Sequence, residues 1–287
     1  MTPVMAEQDR GWRGSDRPQG IGSQPCGGHG RGLIRGGLLL VLLLLNGFGL
    51  WSSPAKRIEL ATLEWEPYIG EALPRKGFVH EIVTEAFRTM GYDVRITFYP
   101  WARALAVATS GQVDGLFPEY FDKSRTGSFT YSAPFQGGPV GFLVRKDSGI
   151  RFPSDPRKDM TATLQGMKQY RFGVVRGYLN TEAFDAADFL VKDETVTDEQ
   201  NLQKLIARRV DLIFIDQYVA RHLLDTRFPE ARKELEFIEP ALEIKPLYIA
   251  FSRRSAGHDR KVQDFNEGLA KLQKSGALKA ILRRHGF

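Results

Sequence analysis

Phe78-Val79-His80-Glu81-Ile82-Val83-Thr84-Glu85-Ala86-Phe87-Arg88-Thr89-Met90-Gly91 carries a helical period. Phe78, Ile82, Ala86 and Phe87 share one face of a helix over 78–90, and Gly91 supplies its C-terminal cap. On either side lie short apolar runs of strand type, 58–62 and 94–98. A second helix is expected over 103–110 and a third strand over 113–117. Strands alternating with helices in this way define an α/β unit.

The same logic returns after an aromatic and glycine-rich stretch at 135–141. A strand over 172–175 is followed by helices over 181–189 and 198–208, a strand over 210–215 and a helix over 217–224. A further apolar strand, 247–251, leads to a closing amphipathic helix through Val262, Phe265, Leu269 and Leu272. Two similar α/β units in one chain suggest two lobes. If the last segment returns to the first lobe, the chain crosses between lobes near 135–141 and 244–249, making a two-strand hinge beside a cleft. The expected division is residues 56–136 for the first lobe, 137–247 for the second and 248–287 for the return.

Residues 1–55 read as an export leader, outside this pattern. Basic residues Arg31 and Arg35 precede an apolar run at 36–50, and the small residues Ser52, Ser53 and Ala55 follow, with Ser53-Pro54-Ala55 as the expected cleavage site. Left uncleaved, the same run would anchor the protein to the membrane. The only cysteine, Cys26, lies ahead of the apolar run, so the rest of the chain offers neither a disulfide framework nor a thiolate metal site. The leader holds five Lys or Arg and three Asp or Glu, which leaves a charge of +4 of the chain's +6 beyond it. Those basic residues are scattered singly or in pairs such as Arg208-Arg209, which argues against a nucleic-acid stripe. His80, His222, His258 and His285 are isolated, without metal-ligand spacing. No cofactor is expected.

From Arg57 to Phe287 the order of motifs resembles the extracellular solute-binding proteins, family 3, which serve polar amino acid ABC transporters. The residues that carry the likeness are Gly77-Phe78-Val79-His80-Glu81-Ile82-Val83, Pro100-Trp101, Ser110-Gly111-Gln112-Val113-Asp114, and Arg125 with Tyr131-Ser132-Ala133-Pro134-Phe135 after it. Gly173-Val174-Val175-Arg176-Gly177, Val210 to Asp216 and Gly276 continue the series. The resemblance implies a periplasmic binding protein fold of two α/β lobes joined by a two-strand hinge. It further implies a monomeric periplasmic protein, not an enzyme, that passes a small ligand to a membrane permease.

The resemblance also suggests site residues. Arg125 is similar to the family's ligand arginine, whose planar guanidinium can grip a carboxylate with two parallel hydrogen bonds. The competing reading is a surface arginine in a turn. Asp216, at the end of a strand, is expected to meet a ligand ammonium, or to cap the helix beginning near Gln217. Trp65 and Trp101 stand where the family places aromatic rings against the ligand, although lobe packing would also account for them. Gly177 and Tyr178 are expected to offer backbone N–H groups. The chain departs from the family pattern at Thr62 and Val175, and at Pro118-Glu119-Tyr120, where Glu119 and Tyr120 enter the expected site. Arg103 is a further unassigned charge. Two other readings stand beside binding: an enzyme on the same fold, with Glu119 as acid or base, or the sensing module of a membrane complex.

Overall fold

The computed structural model describes residues 56–287; the expected leader lies outside the described residues. The chain runs β1 (Lys56–Thr62), α1 (Phe78–Arg88), β2 (Tyr92–Phe98), α2 (Trp101–Thr109), β3 (Gly115–Glu119), β4 (Phe129–Tyr131) and β5 (Phe135–Arg145). It continues through α3 (Met160–Gln165), β6 (Arg171–Val175), α4 (Glu182–Asp185), β7 (Val191–Thr195), α5 (Asp198–Ile206), β8 (Leu212–Asp216) and α6 (Gln217–Thr226). It closes with β9 (Leu235–Phe237), β10 (Glu243–Ser252), α7 (His258–Ser275) and α8 (Ala277–Arg284).

The strands form one path, β2-β1-β3-β10-β5-β8-β6-β7, with β4 added to β10 and β9 to β5. On one side β1 is parallel to β2 and β3, as expected when helices make the crossovers. On the other, β6 is parallel to β7 and β8. Only β5 and β10 belong to both halves. They run antiparallel to each other from Val140 opposite Glu243 to Phe135 opposite Leu247. Beyond that overlap β10 pairs with β3, and β5 pairs with β8. The expected divisions at 136/137 and 247/248 therefore fall inside these two shared strands.

The first lobe is built as its sequence periodicity implies. In α1, Phe78, Val79, Ile82, Val83, Ala86 and Phe87 are buried. They meet α7, whose Phe265, Leu269 and Leu272 are also buried. Backbone approach is close there: a Cβ on Gly268 of α7 would lie 2.1 Å from the Ala86 carbonyl oxygen. Gly77 is required for a separate reason. Its φ is +90°, and a Cβ would sit 2.4 Å from the Tyr68 oxygen.

The second lobe departs from expectation between Thr181 and Thr195. Instead of a helix over 181–189, α4 is a single turn capped by the Thr181 side chain, and β7 follows. The β7 sequence Val191-Lys192-Asp193-Glu194-Thr195 is polar because the strand is the terminal one on the path beside β6 and is largely open to solvent. A polar edge strand lacks the apolar alternation that sequence reading relies on. At the C-terminus, Gly276 (φ +77°) ends α7 and starts the separate helix α8.

Gly268→Ala is expected to lower stability by about 1–3 kcal/mol, since the added methyl must push α7 away from α1. A urea denaturation midpoint equal to that of the unsubstituted protein would contradict this packing.

Candidate functional site

The polar groups of the cleft sit where strands end or helices begin, the usual position for ligand groups in α/β units. Glu119 is the last residue of β3, Asp216 is the last of β8, Asp198 opens α5 and Trp101 opens α2. Trp65 and Tyr68 lie in the segment after β1, and Gly177 and Tyr178 in the turn after β6.

Asp216 performs two tasks. Its Oδ1 accepts from the backbone N–H groups of Tyr218 (2.8 Å) and Val219 (3.1 Å), capping α6, while Oδ2 accepts from the Tyr68 hydroxyl at 2.8 Å. Burial raises its pKa to about 6, against the opposing pull of these donors. The Tyr120 hydroxyl is aimed at Asp216 without making a well-formed hydrogen bond. Asp198 accepts from Trp65 Nε1 at 3.2 Å, and its pKa is raised to about 7 by burial and then by the charge of Asp216.

Glu119 is 3% exposed. Its Oε2 accepts from Arg125 Nη1 at 3.0 Å and its Oε1 from the Tyr120 N–H at 3.2 Å. Burial still lifts its pKa to about 7, with the Arg125 guanidinium opposing. The other arm of Arg125, Nη2, donates to the Gly177 carbonyl at 2.9 Å, and Trp101 Nε1 donates to the same oxygen at 3.0 Å. Four side chains of the first lobe, Trp65, Tyr68, Trp101 and Arg125, thus donate to Asp198, Asp216 and Gly177 of the second.

Aromatic rings fill the rest. Trp65 stacks on Tyr68 with centroids 4.4 Å apart and meets Tyr120 edge-on at 6.0 Å. Trp101 meets Tyr178 edge-on, also at 6.0 Å. Between them a cavity of about 30 Å³ remains, walled by Trp65, Trp101, Glu119, Tyr120 and Tyr178. A wider groove of about 770 Å³ opens beyond Trp65 and Trp101, carrying Glu64, Glu199 and Arg227.

The structure therefore brings together Trp65, Trp101, Glu119, Tyr120 and Tyr178, with Arg125 and Gly177 bonded to each other at the edge. Asp216 joins through Tyr68, and among the described residues no hydrogen bond or ion pair links it to Arg125. Asp216 is indeed the cap of α6. Of the two backbone N–H groups expected here, that of Tyr178 is bonded to Val175 O at 3.1 Å, while Gly177 presents its carbonyl to Arg125 and Trp101. Gly177 is in the left-handed region, φ +76°, which turns that carbonyl toward the first lobe.

Three participants went unseen in the sequence. Asp198 follows Thr197 and reads as ordinary helix-start chemistry; Tyr68 lies in a loop; and Lys245 sits in the hinge strand β10. Buried Lys245 donates to the Asn180 carbonyl, lies 4.6 Å from the centroid of the Tyr120 ring, and has its pKa lowered by burial. Of the departures from the family pattern, Thr62 donates to Phe117 O at 2.7 Å, and exposed Arg103 lies over the Tyr99 ring at 5.0 Å. Among the described residues no cluster of three metal-ligating side chains occurs, and no helix is long and apolar enough to cross a membrane.

Residues 64–287 match the model for bacterial extracellular solute-binding proteins, family 3. The chain belongs to that family. Solved structures share the fold of this solute-binding protein at low identity. The substrate-binding protein of an amino acid ABC transporter is 16% identical, with a TM-score of 0.65, over 80% of this chain and 99% of that one. An amino acid ABC transporter substrate-binding protein from Streptococcus pneumoniae, bound to L-arginine, is 15% identical with a TM-score of 0.64, over 80% and 94%. A histidine kinase sensor domain is 16% identical with a TM-score of 0.68, over 81% and 96%. Curated proteins give no match.

The raised carboxyl pKa values of this solute-binding protein have a consequence for stability. Glu119, Asp198 and Asp216 hold protons more tightly folded than unfolded, so ionising them costs stability as pH rises through about 6 to 7. His80, held neutral by burial with its pKa lowered to about 4, opposes this only below its ordinary value of 6.5. The melting temperature is expected to rise as pH is lowered from about 8 to about 6.5, and Asp198→Asn is expected to flatten that slope. An unchanged slope in the Asp198→Asn protein would contradict the assignment.

Proposed function

We propose that this solute-binding protein is exported to the periplasm through residues 1–55, captures a small polar ligand bearing an ammonium group, and delivers it to a membrane ABC transporter. The ligand is an amino acid or a derivative of one. The observation that carries this reading is the set of bonds from Trp65, Tyr68, Trp101 and Arg125 of the first lobe to acceptors of the second, two of which are buried carboxyl groups. A ligand ammonium supplies the same kind of donor, with a full charge to match. The cavity between the aromatic rings, about 30 Å³, admits an amino acid only after the lobes part, so binding there and lobe movement are one event.

Binding, rather than turnover, fits the arrangement. Among the described residues Glu119 is the only Asp, Glu, Lys or Arg lining the cavity, and its partner Arg125 is a permanent cation that cannot take its proton. A second use of the same cleft is sensing, since the fold is shared with a histidine kinase sensor domain. The size of the exported protein separates the two: loss of the leader supports delivery by a released protein, and retention supports a membrane-held sensor.

A thermal-shift screen of amino acids, small peptides, amines and carboxylates tests the reading, because a ligand that binds only the folded form raises the melting temperature. No shift with any of them would reject it. Asp216→Asn keeps a competent helix cap but removes the charge. It is expected to weaken an ammonium ligand by about a hundredfold to a few thousandfold, since loss of one partner of a buried charge pair costs about 3–5 kcal/mol. Equal affinity in calorimetry would leave Asp216 as a cap alone.

A further inference from the structure

We infer that the ligand is recognised as a cation and that a carboxylate on it is dispensable, so that alkyl ammonium, diamine or guanidinium compounds are bound as well as amino acids. This rests on the binding role proposed above and adds a ligand class to it. The cavity between the lobes is lined by four aromatic residues, Trp65, Trp101, Tyr120 and Tyr178, and by Glu119, with aliphatic side chains completing it. Among the described residues no Lys or Arg lines it. Aromatic faces carry negative charge density and attract cations, most strongly where water is excluded. An anion placed there would find no cation among the lining residues and would face Glu119.

The cations beside the aromatic cavity that could hold a carboxylate are committed elsewhere. Arg125 spends one arm on Glu119 Oε2 at 3.0 Å and the other on Gly177 O at 2.9 Å. Its Nε lies 3.9 Å from Asp122. A ligand carboxylate reaching Arg125 would have to displace Glu119, leaving that carboxyl buried without its cation. Lys245 is bonded to Asn180 O and already sits over Tyr120. The carboxyl groups of the cleft, by contrast, are held mainly by neutral donors: Asp198 by Trp65, and Asp216 by Tyr68 and two backbone N–H groups.

The wider groove keeps the same sign. Its walls bring Glu64, Glu66, Glu71 and Glu199 together with Asp198 against the single guanidinium of Arg227. Burial and the neighbouring acids hold the Glu64 pKa above its usual value. A long amine with one charge in the aromatic cavity finds acceptors for a second charge along this groove.

The test compares ligand pairs that differ only in the carboxylate: arginine with agmatine, and lysine with cadaverine, by calorimetry on the full chain. Glutamate and succinate serve as anionic probes. The expected result is that agmatine or cadaverine binds within about tenfold of its parent amino acid or more tightly, while the anions give no heat, and that Tyr120→Leu weakens the amine by about tenfold or more. A parent amino acid tighter than its decarboxylated partner by more than about tenfold in both pairs would overturn the inference, as would binding of glutamate or succinate. If neutral or acidic amino acids bind and no amine does, the inference falls and the binding role stands. If nothing in this set or in the wider screen binds, both fall.

Discussion

Two carboxyl groups of one lobe, Asp198 and Asp216, accept hydrogen bonds from Trp65 and Tyr68 of the other, and the geometry of the cleft is organised around this contact. Among the described residues neither acid has an ion-pair partner. A buried carboxyl without donors is costly, so each depends on what the opposite lobe presents. Asp216 is aimed before that lobe arrives: its Oδ1 is fixed by the first turn of α6, which leaves Oδ2 directed at Tyr68. Capping and recognition are here two uses of one side chain, each of its oxygens assigned to a different lobe.

The hinge strands are shaped to permit that contact. Gly137 and Gly138 in β5 have no room for side chains. A Cβ on Gly138 would lie 2.2 Å from the Tyr68 hydroxyl and 2.8 Å from Asp216 Oδ2, and one on Gly137 would lie 2.0 Å from the Lys245 oxygen. The Tyr68–Asp216 bond therefore passes directly over the shared strand pair. Lys245, on the partner strand β10, places its amine against Tyr120, so the hinge itself supplies part of the cleft wall. Movement at the hinge and chemistry in the cleft are consequently not independent, which is the physical basis for treating ligand capture and lobe closure together.

The charge pattern of this cleft follows from a few residues. Glu119 stands where the chain departs from the family pattern, and it takes up the guanidinium that the resemblance offered to a ligand. Thr62, another departure, spends its hydroxyl on the backbone of β3, at Phe117 O. The result is an aromatic interior whose acids outnumber its available cations, and whose bases are bonded to the protein itself.

Much of the frame was legible in the chain. Apolar periodicity in 78–90, strand-like runs at 58–62 and 94–98, and the glycine-bounded crossing near 135–141 are local signals, because helix and strand each impose their own spacing on buried side chains. The polar edge strand β7 was hidden for the same reason, since a strand with little to bury leaves no such pattern. The site divides along a similar line. Arg125, Glu119, Trp65 and Trp101 could be chosen from motif position, yet nothing local distinguishes Asp198 from any helix-opening acid, or Tyr68 from any loop tyrosine. Their role comes from contacts between residues more than 130 positions apart in sequence: Trp65 with Asp198, and Tyr68 with Asp216. Sequence determined which segments form the lobes because secondary structure follows short-range order. Tertiary structure decided which polar groups meet, because partnership across a cleft depends on how two separately folded halves are brought together by the strands they share.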